Sequence, residues 1–313
     1  MTKPRKEQVC LDTTPYYHCV SRCVRRGYLC GYDQLTQQNY AHRREWILAR
    51  IQQVAEVYCV NVCAFAIMSN HYHLVVHINR DLALQLTDIE VVNRWNRLHK
   101  LPKIVQNYIS TKRNSKAKII AAKKRIHKWR NRLFDLSWFM KEINLDIAQR
   151  ANQEDECTGH FWEGRFKSQA LLDEKGLLSA MAYTDLNPVR AGICTTPQNS
   201  EFTSIKQRLN AELFQQSSFL ATFNSDIVPF SFNDYLESLD WTARNIKPTQ
   251  KPNVENKATP SILIKTNIPP SNWLSACKDL ERPRTLQIGG EQSLVNARLK
   301  AGKLRNSGLS FPD

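Results

Sequence analysis

The chain has 313 residues, 42% of them hydrophobic, which is enough to bury a core and excludes wholesale disorder. No apolar run reaches the roughly 18 residues of a membrane span, and the start "MTKPRKEQVC" has no apolar signal core, so a soluble, cytoplasmic protein with no membrane partner is expected. The 44 Lys and Arg against 29 Asp and Glu give a formal net charge of +15, which predicts a polyanionic partner, usually nucleic acid.

"YYHCVSRCV" (16–24) reads as a strand, followed by the basic turn "RRGY". Residues 40–58 place Trp46, Ile47, Ile51, Val54 and Tyr58 at helical spacing. Two further strands, over 59–68 and 72–78, are separated by the tight turn "SNH" and must be antiparallel neighbours. A helix is expected over 82–99. From Lys100 to Arg132 there are twelve Lys and Arg and no acidic residue. A solvated helix face normally mixes signs. This stretch therefore reads as a helical, phosphate-tracking insertion, with Lys123, Lys124, Arg125 and Lys128 as DNA-facing cations.

Past the insertion come an amphipathic helix over 136–152 and a loop-like stretch over 156–169. The next helix buries Leu177, Leu178, Met181 and Ala182, and it should end near Asn187 because Pro188 disfavours the α conformation before it. The pattern weakens past Thr203, with one short helix over 234–245 and a linker over about 246–270. The expected organisation is α+β: an antiparallel sheet with helices on one face, in a domain of residues 1–215 that carries the insertion at about 100–133. A largely irregular extension of residues 216–313 follows. Nine scattered cysteines without a Cys-x-x-Cys pair read as small buried thiols in a reducing compartment.

"IMSNHYHLVVHI" (67–78) raises a chemical question. Side chains alternate along a strand, so His71, His73, Val75 and His77 share one face, and Tyr72, Leu74, Val76 and Ile78 form a core face. Two neutral imidazoles on one face can hold a cation, although a solvated polar face gives the same pattern. His77, farther along the strand, reads as a packing or phosphate-contact residue. Tyr183 and Asn187 are four apart and lie on one helix face. They fit a nucleophile and a neutral oxygen donor to a hard cation; they equally fit a half-buried aromatic and a cap before Pro188.

In this order and on this basic background, "MSNHYHLVV", "TGHFWEGRFKSQ" and "AMAYTDLNPVRAGI" resemble the REP-associated tyrosine transposases of the HUH single-tyrosine superfamily. The resemblance covers roughly residues 14–200. It implies a ferredoxin-like sheet with the His pair on a central strand, Tyr183 as nucleophile, and a metal site of His71, His73 and Asn187 for one Mg²⁺ or Mn²⁺. The implied activity is cutting and joining of single-stranded DNA near a hairpin through a 5′-phosphotyrosine, by a nucleoid-associated monomer or homodimer. Trp162 and Phe166 are stacking candidates, and Arg22, Arg25, Arg26, Arg165, Lys167 and Arg190 are phosphate candidates. Compact relatives lack the basic insertion, and Cys23 stands where many have Gly. A non-catalytic hairpin-binding protein, or an HUH replication initiator or relaxase, remains the alternative; a two-motif phosphoesterase would need a second His motif that this chain lacks.

Overall fold

Alternating and β-branched residues form three strands near the start of the chain, β1 (Tyr16–Arg22), β2 (Val60–Ile67) and β3 (His71–Ile78). These belong to a computed structural model that describes residues 8–24, 29–33, 37–110, 115–214, 219–246, 258–282, 285–302 and 308–313. Three more strands, β4 (Lys167–Leu171), β5 (Gln287–Gly290) and β6 (Gly308–Phe311), complete a six-stranded sheet in the order β2-β3-β1-β4-β5-β6. The class is α+β, as expected. The sheet, however, is mixed rather than antiparallel: β1 is antiparallel to β3 and β4, whereas β4–β5 and β5–β6 are parallel.

Register decides what shares a face. Across β1 and β3, Arg22 faces His71, Val20 faces His73 and His18 faces Val75. Across β1 and β4, His18 faces Gln169 and Val20 faces Lys167. Directly opposed residues point the same way. One face at the centre of the sheet therefore gathers His71, His73, His18, Gln169, Arg22 and Lys167. The other face is core as expected: Tyr72, Leu74 and Val76 are fully buried.

Several expectations need correction. The stretch read as a loop over 156–169 ends in β4. Lys-Ser-Gln-Ala-Leu has no β-branched residue, and pairing with β1 and β5 on its two sides makes it a strand. The helix expected over 82–99 is two helices, Arg80–Gln85 and Asp88–Asn96, because Thr87 and Glu90 form a capping box that starts the second. The C-terminal extension is not irregular. It contains helices Phe232–Ile246, Ser261–Lys265, Pro270–Lys278 and Glu291–Lys300 besides β5 and β6. Its buried Tyr235, Leu239, Trp273, Leu280, Ile288 and Phe311 join Leu177, Leu178 and Met181 in one apolar core, which is the driving force for its order. Of the expected linker, residues 247–257 lie outside the described residues.

The chain divides into two compact units, one of Met1–Glu45, Val62–His77 and Gly159–Asp313, the other of Trp46–Asn61 and Ile78–Thr158. The expected boundary at 215/216 falls inside the first. In the second, the basic insertion is helical, with helices Lys103–Ile109 and Lys116–Leu133. Ala122, Ile126, Trp129 and Leu133 are buried at helical spacing, and Trp129 stacks on Trp95 with ring centroids 5.5 Å apart. Arg130 bonds to Leu86 O and Asp88, and Arg132 lies over the Trp138 ring, so these two cations serve the fold. All nine cysteines are free thiols, six of them buried. Among the described residues no helix is long and apolar enough to cross a membrane.

Candidate active site

The helix Glu174–Asp185 carries Tyr183, and carboxylates hold both its ends. At the start, Asp173 accepts from the Gly176 N–H at 2.9 Å and from the Gly290 N–H of β5 at 2.6 Å. At the end, the buried Asp185 accepts from Ser204 Oγ at 2.5 Å, the Ile205 N–H at 2.9 Å and the Tyr235 hydroxyl at 2.7 Å. Between them, Gly176 lies so close to β5 that a Cβ there would stand 2.5 Å from the Ile288 carbonyl oxygen. The helix stops at Leu186, and a short turn, Asn187–Arg190, follows with Pro188 in its first turn. Gly192 at φ +70° closes it: its N–H reaches Val189 O at 3.1 Å, and the Ile193 N–H reaches Pro188 O at 2.9 Å, a Schellman ending.

Asn187 does not act as a cap. Its Nδ2 lies 2.8 Å from His73 Nε2. His71 and His73 meet edge to face with ring centroids 4.7 Å apart, and His71 Nδ1 bonds to Asn70 Oδ1. The Tyr183 ring stands edge-on to His73 at 5.8 Å, and its hydroxyl donates to Glu281 Oε1 at 3.0 Å. The same oxygen lies 3.7 Å from His73 Nε2. Arg190 covers the tyrosine ring at 4.2 Å and donates through Nη2 to Lys278 O at 2.5 Å. Its Nη1 is buried with no hydrogen-bond partner. The structure thus brings Tyr183, His71, His73, Asn187 and Arg190 together.

Electrostatics follow from burial. Desolvation first, then the neighbouring histidines and arginines, push His73 well below the usual imidazole range. Burial and then Arg22 lower His71 to about 4. Both rings are therefore neutral at pH 7, the ligand form. Burial, followed by the charge of Glu281, pushes Tyr183 up to about 12, so the phenol keeps its proton until a base takes it.

Arg22, Arg165 and Lys167 line one small pocket together with Val20, Glu163 and Gly164. Trp162 is half-buried and packs edge-on to Tyr72 and Phe161, which leaves it less open to a base than expected; Phe166 is half-buried as well. His77 packs on the Tyr16 ring at 4.7 Å. Lys123, Lys124, Arg125 and Lys128 are exposed on the helix Lys116–Leu133 of the other unit. Arg25 and Arg26 lie outside the described residues. Sequence reasoning missed His18, Gln169 and Glu281. The first had a usable signal, since Tyr16, His18, Val20 and Arg22 alternate onto one strand face; Glu281 had none.

Among the described residues no group of three or more His, Cys, Asp or Glu is arranged to hold an ion. Two imidazoles and an amide form a donor set outside that description. Amide and carboxylate oxygens suit a hard ion such as Mg²⁺ or Mn²⁺, whereas imidazole nitrogens favour softer transition metals, so any Mg²⁺ here would be held weakly by the protein alone. Asn187 meets His73 Nε2 through its amide nitrogen, and Glu281 Oε1 lies 3.7 Å from the same atom, so an ion there would be held by the two imidazoles and by the amide oxygen once the amide is turned.

No family model matches the chain, and no curated protein matches it. Among solved structures it is similar to a REP-associated tyrosine transposase bound to a REP hairpin, with 13% identity and a TM-score of 0.40 over 74% of this chain and 96% of that chain. A likeness of that size carries no inference about function.

Proposed function

We propose that this chain is a metal-dependent endonuclease and strand transferase for single-stranded DNA, a transposase of the HUH single-tyrosine kind that cuts at or near hairpins. The observation that carries the reading is the meeting of Tyr183, Asn187 and His73 over one buried sheet face. Further support comes from the order β2-β3-β1-β4 with β1 antiparallel to both neighbours, the order that a ferredoxin-like sheet would have, with β5 and β6 added at one edge.

His71, His73 and Asn187 would hold one Mg²⁺ or Mn²⁺, which when bound polarises the scissile phosphate. Tyr183 Oη attacks phosphorus while its proton passes to Glu281 Oε1, the acceptor it already faces. The bond from phosphorus to the 3′-oxygen breaks. That oxygen takes a proton from water and becomes a 3′-hydroxyl, and the 5′-phosphate remains on the tyrosine. The unpartnered Arg190 Nη1 offers a donor to a phosphate oxygen. Arg22, Arg165 and Lys167 suit flanking phosphates, and the exposed cations of the insertion suit the hairpin backbone.

The test is denaturing electrophoresis of labelled hairpin DNA incubated with protein and Mn²⁺. Wild type should leave a protein adduct on the fragment downstream of the cut; Tyr183→Phe should leave none while still binding the hairpin. An undiminished adduct in that variant overturns the nucleophile. A wild type that binds without any adduct is the outcome of a non-catalytic hairpin-binding protein.

A further inference from the structure

Behind His71 and His73 of β3 runs a buried hydrogen-bonded chain whose other members have no part in the steps above. Gln169 on β4 uses both hydrogens of its Nε2, one to Leu280 O at 2.9 Å and one to Thr285 O at 3.0 Å. Carbonyl oxygens only accept, so the amide has a single orientation, and its Oε1 is the acceptor 2.7 Å from His18 Nδ1. His18 Nδ1 therefore carries a hydrogen. His18 and His73 are both fully buried, and a chain of hydrogen bonds between two such rings is satisfied with one hydrogen on each. His18 Nε2 is then a bare lone pair, 3.0 Å from His73 Nδ1, which must donate to it. That leaves His73 Nε2 bare as well, and this is the atom beside the Asn187 amide.

The geometry points to Gln169 and His18 as positioning residues that lock His73 in its Nδ1–H tautomer, with the carbonyls of Leu280 and Thr285 anchoring the relay from the C-terminal extension. Reversing any link would set two lone pairs or two hydrogens against each other in a buried site. The other tautomer of His73 would put a hydrogen on the nitrogen meant for the ion. The extension thus acts on the sheet face through two backbone oxygens. The role given to the Nε2 lone pair rests on the function proposed above; the tautomer itself does not.

The experiment is a ¹H–¹⁵N correlation spectrum of the full chain with ¹⁵N-labelled histidine, free of metal and DNA, each ring assigned by single replacement. Nitrogen shifts distinguish the tautomers directly. His18 and His73 should both show Nδ1–H; an Nε2–H signal for His73 in wild type overturns the relay, whatever any variant does. In folded Gln169→Leu, His18 loses its acceptor, so His73 should move toward Nε2–H. The dissociation constant for Mn²⁺ alone, read by paramagnetic resonance, should then rise about 10–100-fold. A folded Gln169→Leu with an unchanged tautomer and unchanged Mn²⁺ affinity also overturns it. A correct tautomer with no DNA adduct in wild type would sink the transposase reading and leave the relay standing.

Discussion

The face of the sheet centre and the outer face of the helix Lys116–Leu133 are both polar, and they are built on opposite rules. On the sheet, His18, His73, Asn187 and Gln169 are buried, and a hydrogen-bonding partner meets each of them at 2.7–3.0 Å. On the helix, Lys123, Lys124, Arg125 and Lys128 are exposed, while Ala122, Ile126, Trp129 and Leu133 hold the helix from its other side. A buried polar group is sensitive to each atom, because an orphaned partner has no water to turn to. Exposed charges act through their number, and their effects nearly add.

If this contrast is right, single changes should be decisive at the sheet and minor on the helix. The largest effect is expected for Glu281→Gln, which removes the proton acceptor of Tyr183 and keeps its shape. Single-turnover adduct formation should slow about 10²–10⁴-fold with hairpin affinity unchanged; an unchanged rate would remove Glu281 from the chemistry. Next comes Trp129→Ala, which should lower stability in urea by about 3–5 kcal/mol, because it opens a cavity beneath Trp95. Smaller still is replacement of Lys123, Lys124, Arg125 and Lys128 together by Ala. The slope of log binding constant against log salt should flatten by about 3–4, with stability altered by no more than about 0.5 kcal/mol. The smallest is Lys123→Ala alone, worth a slope change of about 1. A single lysine that abolished binding would break the contrast.

What could be read from sequence follows the same division. The period of two put His71 and His73 on one face, and a spacing of four related Tyr183 to Asn187, which the structure places just past the end of the helix; both are local regularities. The amphipathic insertion was legible for the same reason. The relay was not legible, because Gln169 sits in a five-residue strand that no propensity marks and that exists only by pairing on both sides. Glu281 lies 98 residues past Tyr183 in a segment whose pattern is weak. Trp273, Leu280, Ile288 and Phe311 of the extension are buried in the core without a regular spacing that marks them in the sequence.

Gly176 has a consequence in time. The helix bearing Tyr183 rests against the Ile288 carbonyl with no room for a single carbon between them. A ribosome delivers the chain N-terminus first, so that seat does not exist until residue 288 has emerged. The oxygens of Leu280 and Thr285, and the carboxylate of Glu281, arrive equally late. A nascent chain carrying only its first 200 residues has its histidines and its tyrosine but lacks the surfaces that align them, so the cluster takes shape only once the extension has folded onto it.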